Sequence, residues 1–231
     1  MKLTMLRKLI GGSFALLLLT GIAFAGFTIH ASGLPDSITP GYRQGLGCWE
    51  MLVRASDPRG FFGDSPTNLA QRAQFIDEYR APLDSTHTKN FRILIPDEWK
   101  NDPYPVLVAA SHSVVYSISP WAIWVFGDHF TFEAAVPDAT SKNGFRVVIH
   151  RDIPIIKEKW HIFKLTEHVS KTNNGYFELT VDGVNLCGPK DYYGPTVHPD
   201  DTGPPYTEYG PYVFGHWPAG VTHRRIFMIL G

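Results

Sequence analysis

Cysteine is nearly absent from this chain, and so are most of the residue patterns that mark an enzyme. Two cysteines among 231 residues are too few for a structural zinc site, which takes four protein ligands. There is no Gly-x-Ser-x-Gly elbow, no glycine loop of the phosphate-cradling kind and no His-Glu-x-x-His, which excludes the common hydrolase, nucleotide-binding and zinc-protease signatures. Charge of one sign is lacking too. Twenty-one basic residues face 22 acidic ones, for a net −1, and neither half carries a basic block, so no nucleic-acid surface is expected. No Asn-x-Ser/Thr acceptor occurs, which leans toward a bacterial origin. A glycosidase of sandwich fold places two carboxylates on one strand face; here Asp77 and Glu78 are adjacent and would point to opposite faces. No internal repeat is present.

The N-terminus is informative. Lys2, Arg7 and Lys8 precede an apolar run from Leu9 to Ile22, and Ala23-Phe24-Ala25 follows with the small-x-small spacing of a cleavage site. This reads as a secretory signal peptide over residues 1–25, with Gly26 as the new terminus and a location outside the cytoplasm, secreted or periplasmic. A cut after Ile29-His30-Ala31, or retention of the segment as a membrane anchor, are the alternatives; a membrane is a partner only in the second case. In an oxidising compartment Cys48 and Cys187 are expected to form one disulfide, with two free buried thiols as the alternative.

After a Ser/Thr/Pro/Gly-rich lead-in or linker over residues 26–45, residues 46–231 read as one all-β domain. Short β-prone runs alternate with turn residues: Gly47–Arg54, Phe75–Arg80, Asn90–Ile95, Pro105–Ser111, Trp121–Phe126, His129–Ala135, Phe145–His150, Trp160–Val169, Tyr176–Val181, Val184–Cys187, Tyr212–His216 and Arg224–Leu230. Asp182-Gly183 stands alone between two of them, the two-residue signature of a type I′ hairpin. A short helix is expected over Asn68–Phe75 from propensity. Ser56–Thr67 and Pro189–Pro211 read as loops, the second long enough to be functional. Asp200-Asp201 within it is the one place where a structural Ca²⁺ is left open, against the simpler reading of solvated turn carboxylates.

The order of several short motifs carries a resemblance. Asp77-Glu78-Tyr79-Arg80 is followed by Phe91 to Pro96 and Trp99, by Val106 to His112, and by Trp160-His161-Ile162-Phe163. The Asn174 to Gly183 hairpin and Tyr212-Val213-Phe214-Gly215-His216-Trp217 complete the set. From about Phe75 onward this resembles the secreted polysaccharide lyases of the heparin lyase I and glucuronan lyase type. The resemblance implies a jelly-roll sandwich of two antiparallel sheets (concanavalin-like), β-elimination on an acidic, uronate-containing polysaccharide, and no cofactor.

A lyase must neutralise a carboxylate, remove the proton beside it and protonate the departing oxygen. The resemblance implies His112, Tyr212 and His216 as the proton-moving residues, and Arg80, Arg92, Lys164 and Trp217 as substrate contacts. Where the family has Gln two residues before its His, this chain has Ala110. At the Lys and the second Tyr of the family's terminal Tyr-x-Lys-x-Gly-x-Tyr it has Val213 and Trp217. Two alternatives share the sandwich architecture: a non-catalytic carbohydrate-binding domain, and an envelope or surface structural protein.

Overall fold

The computed structural model describes residues 27–32, 36–59, 70–101, 103–113, 119–138, 140 and 145–231. The expected signal peptide, residues 68–69 of the expected helix and most of the 56–67 loop lie outside them. Fourteen strands form two antiparallel sheets of seven. They are β1 (Phe27–Ala31), β2 (Ile38–Arg43), β3 (Leu46–Arg54), β4 (Gln71–Asp77), β5 (Ser85–Leu94), β6 (Val106–His112) and β7 (Trp121–Phe126). The rest are β8 (His129–Pro137), β9 (Phe145–Pro154), β10 (Trp160–Val169), β11 (Tyr176–Val181), β12 (Val184–Cys187), β13 (Tyr206–Val213) and β14 (His223–Leu230). Sheet A runs β1-β4-β13-β6-β7-β8-β9 and sheet B runs β12-β11-β10-β5-β14-β3-β2, the jelly-roll sandwich expected from sequence. Among the described residues no helix is long and apolar enough to cross a membrane.

Alternation decides what each sheet buries. Phe163 and Leu165 of β10, and Phe177, Leu179 and Val181 of β11, face Trp121, Ile123, Phe130 and Phe132 of sheet A in one continuous core. Each large side chain so buried contributes ~1.5–3 kcal/mol. The β11–β12 hairpin turns through Asp182 (φ 52°) and Gly183 (φ 82°), the two positive φ angles a type I′ turn requires. One ionisable group enters this core. Glu167, on the inner face of β10, accepts a hydrogen bond from Trp121 Nε1 at 3.2 Å, and its Oε1 has no partner among the described residues. Burial pushes its carboxyl up to about 7, against the opposing pull of Lys89 and the Trp121 bond.

Three expectations are corrected. Residues 71–75 are strand, not helix: Gln71 to Ile76 are all buried, β4 is paired with β1 on one edge and β13 on the other, and tertiary context overrides a weak propensity. Residues 27–31 and 38–43 of the lead-in are strands of the two sheets. Finally, Cys48 and Cys187 are free and buried. Their strands stand five positions apart in sheet B, roughly 24 Å at ~4.8 Å per strand, far beyond the ~7 Å a disulfide spans. They also face opposite sides, Cys187 in the main core and Cys48 in a small outer cluster with Leu94 and Phe227.

Candidate active site

The outer face of sheet A gathers the polar chemistry. On β4, Ala73 and Phe75 point into the core, so Arg72, Gln74 and Ile76 point outward. On β13, Tyr209 and Val213 are core residues, which leaves Tyr206, Glu208 and Tyr212 outside. β6 breaks the alternation. Val106, Val108 and Ala109 all belong to the core, whereas Leu107 and Ala110 pack in an outer cluster with Ala122, Trp124 and Tyr212. Register explains this. Leu107 and Ala109 of β6 oppose Trp124 and Ile123 of β7, two steps against one, a β-bulge that inserts one residue. Strict alternation from Val106 would aim His112 inward; the extra residue turns it out.

His112 therefore stands opposite Tyr206 of β13. Their rings stack at 5.3 Å. Glu208 Oε2 lies 3.9 Å from His112 Nε2, and the Arg80 guanidinium lies 5.5 Å from the centre of the Tyr206 ring. Glu208 is buried and His112 is half-buried, so the group is recessed. Burial first, and the Glu208 charge second, push the Tyr206 phenol up to about 12 despite the nearby Arg72 and Arg80. Tyr206 thus keeps its proton at neutral pH.

A second station lies farther along the same strands. Arg72 sits over the Tyr212 ring at 4.6 Å, and Tyr212, Phe214 and Trp124 form an aromatic file with centroid separations of 4.6 and 5.8 Å. Gln74, fully buried between the stations, has its Nε2 3.5 Å from the Gly210 carbonyl and an Oε1 without a partner among the described residues. Gly210 (φ 124°) is obligatory here, since an added Cβ would collide with the Ala73 carbonyl oxygen.

The structure separates the residues expected together. His112 and Arg80 both lie against Tyr206, and Tyr212 shares the face of His112 one station away. His216 does not join them. It stacks on Tyr104 at 4.9 Å beside the Val106–Val213 pair, whereas His112 pairs with Tyr206 at the opposite end, roughly 20 Å off for six residue steps. Arg92 and Lys164 are exposed on the outer face of sheet B, across the sandwich. Trp217 is structural: it packs on the core and its Nε1 donates to Gln71 Oε1 at 2.6 Å. Asp201 is buried and accepts from Ser113 Oγ at 2.6 Å, while Asp200 is exposed, so the pair forms no cation cage. Among the described residues no group of three or more His, Cys, Asp and Glu is arranged to hold a metal.

Sequence reasoning missed Tyr206, Glu208, Arg72 and Gln74. The signal was present. The spacing Tyr-x-x-x-Gly-x-Tyr occurs at Tyr206, Gly210 and Tyr212, so the resembled terminal motif falls six residues earlier than Tyr212, with Glu208 in place of Lys. Glu208 is directly opposite Ala110, the position that lacks the Gln.

Comparisons with known proteins agree with this architecture. The polysaccharide lyase family profile matches residues 37–228. The endo-β-1,4-glucuronan lyase of the fungus Trichoderma reesei superposes with a TM-score of 0.64 at 14% identity, over 88% of this chain and 85% of that one. Alginate lyase vAL-1 from Chlorella virus gives 0.62 at 9% identity, over 93% and 95%. Alginate lyase PA1167 from Pseudomonas aeruginosa gives 0.55 at 12%, over 87% of each chain. No curated protein matches by sequence. With the profile spanning most of its length, the chain belongs to the polysaccharide lyase family.

Proposed function

We propose that the protein is an exported lyase that cleaves a uronate-containing polysaccharide by β-elimination on the outer face of sheet A. One observation carries the reading: a bulge in β6 brings His112 onto the face of Tyr206 and Glu208, in contact with both, while Arg80 lies over the Tyr206 ring. Arg80 binds the uronate carboxylate, so that charge developing on it in the transition state is met by a fixed cation. His112 removes the proton beside that carboxylate. Glu208, within 4 Å of His112, favours the imidazolium so formed. The electron pair of the broken C–H bond forms the C=C bond, and the glycosidic C–O bond breaks. Tyr206, holding its proton with a pKa of about 12, passes it to the departing oxygen and is reprotonated from His112. The products are an unsaturated uronate end and a new reducing end, and no cofactor enters the balance.

Export rests on the N-terminal pattern of Lys2, Arg7, Lys8 and Ala23-Phe24-Ala25; N-terminal sequencing of secreted protein should begin at Gly26. The activity is tested by ultraviolet absorbance of the unsaturated product from glucuronan, alginate and mixed uronate polymers. Signal from at least one supports the lyase. Glu208, a carboxylate in the motif position of a lysine, favours a second reading, carbohydrate binding without turnover. Polymer retention by a folded protein that yields no absorbance with any of these substrates would establish that second reading instead.

A further inference from the structure

The outer face of sheet A continues beyond these stations into a cavity of about 560 Å³ over β7, β8 and β9, walled by Trp124, Phe126, His129, Thr131, Glu133, His150 and Asp152 together with Pro105. Its chemistry is opposite to that beside His112. His150 bridges Glu133 (Nδ1 to Oε1, 3.2 Å) and Asp152 (Nε2 to Oδ1, 3.5 Å). His129 bridges Asp152 (3.5 Å) and Asp128 (3.2 Å), and Thr131 Oγ1 donates to Asp152 at 2.8 Å. Three carboxylates thus face two imidazoles, and neither Lys nor Arg is among the described lining residues. The lining itself holds two carboxylates, Glu133 and Asp152, and Asp128 adds a third beside it. The first station sets Arg80 against Glu208, and the second adds Arg72.

We propose that this cavity is a subsite for an uncharged sugar, and that the substrate is therefore a polymer in which uronate is interspersed with neutral residues. The placement rests on the lyase reading above. Trp124 and Phe126 offer apolar ring faces to the C–H face of a sugar. The carboxylates, which only accept hydrogen bonds when ionised, suit vicinal hydroxyls and repel a second carboxylate. The Tyr212–Phe214–Trp124 file makes the cavity continuous with the cationic stations. Four strand spacings separate Tyr212 on β13 from Asp152 on β9, roughly 19 Å, room for more than one ring.

The test uses the full exported protein and two tetrasaccharides of the same backbone, β-1,4-linked glucuronate and its carboxyl-reduced counterpart, cellotetraose. Calorimetry should show cellotetraose binding that weakens at least ~10-fold in Trp124→Ala, the scale of one stacked aromatic contact, and also weakens in Glu133→Gln/Asp152→Asn. In that double variant glucuronate tetramer affinity should hold or rise. In turnover, hyaluronan, which alternates glucuronate with an uncharged amino-sugar derivative, should exceed glucuronan in kcat/KM, and the double variant should narrow the gap. Cellotetraose binding that is absent, or indifferent to these substitutions, overturns the subsite even if glucuronan is cleaved well. Binding that depends on them while no polymer is cleaved upholds the subsite and sinks the lyase reading.

Discussion

The outer faces of the two sheets follow the same alternation and end up with different contents. On sheet A the outward positions of β4, β6 and β13 bring Arg72, Gln74, His112, Tyr206, Glu208 and Tyr212 to one recessed surface. On sheet B the outward positions of β5 and β10 form a ladder of small polar pairs, Thr86 with His168 at 2.9 Å and Thr88 with Thr166 at 2.9 Å, flanked by exposed Arg92 and Lys164. A cation on either face looks the same in the sequence. What differs is company: Arg80 lies against Tyr206, which lies against His112. Arg92 and Lys164 have no proton-moving pair beside them in register, their strand neighbours being Ile162 and Ile229, and Asn90 and Thr180.

Breaking that contrast is a matter of mutating each face in turn. The largest effect is expected for His112→Ala, which should lower turnover by ~10²–10⁴-fold, the range for a lost acid–base group. Circular dichroism should be unchanged; full activity would remove the assigned base. Next comes the group that spans the interior between the faces. Glu167 has a folded pKa near 7 against 4.5 unperturbed, so the folded state holds a proton that the unfolded state releases, and stability falls as pH rises from about 4.5 to 7. Glu167→Gln should abolish that loss, giving ~2–3 kcal/mol more stability than the parent at pH 8 and little difference at pH 4. Denaturant titrations at both pH values measure it, and an equal gain at both would refute the linkage.

Arg80→Ala should cost about 10-fold in kcat/KM, with most of the loss in kcat if the cation acts chiefly in the transition state. Arg92→Ala/Lys164→Ala should change activity less than about 2-fold, because surface charges remote from the site have little purchase through solvent. A large loss in this double variant would move the substrate to sheet B. The smallest effect is that of reductant. Burial holds both thiols above their usual range, Cys187 up to about 11, so reductant should leave the unfolding midpoint unchanged, and non-reducing mass spectrometry should find two free cysteines.

How much of this was legible varied along the chain, for physical reasons. β7, β10, β11 and β12 coincide with the runs read from sequence, because each is a β-prone run bounded by turn residues. β4 was read partly as helix, since Arg72, Ala73 and Gln74 have fair helix propensity and the pairing of β4 with β1 and β13 is not visible in the sequence. β13 was hidden because Tyr206–Pro211 closes a Pro/Gly-rich stretch that has the composition of a loop. The disulfide failed on topology. Sequence supplies two cysteines and an export-like N-terminus, and the order of strands in sheet B is not written in either. Of the candidate site, His112 and Arg80 stand out in the sequence, while Tyr206, against which both lie, needs the register of β6 against β13.

The β6 bulge has a consequence for how this protein can change. In β6 the orientation of His112 depends on the number of residues that precede it, more than on their identity. Exchanging Val108 or Ala109 for another small apolar residue would leave the phase of the strand intact. Inserting one more residue while the single bulge is kept would shift Ala110 and His112 by half a period and turn the imidazole inward, although no residue of the candidate site had been touched. Deleting one instead would remove the bulge and leave His112 outward in strict alternation from Val106 along the shortened strand. Lineages of this fold can therefore exchange Val108 and Ala109 only among small apolar residues that the core accepts, whereas a single-codon insertion there would disperse the candidate site as completely as replacing the histidine.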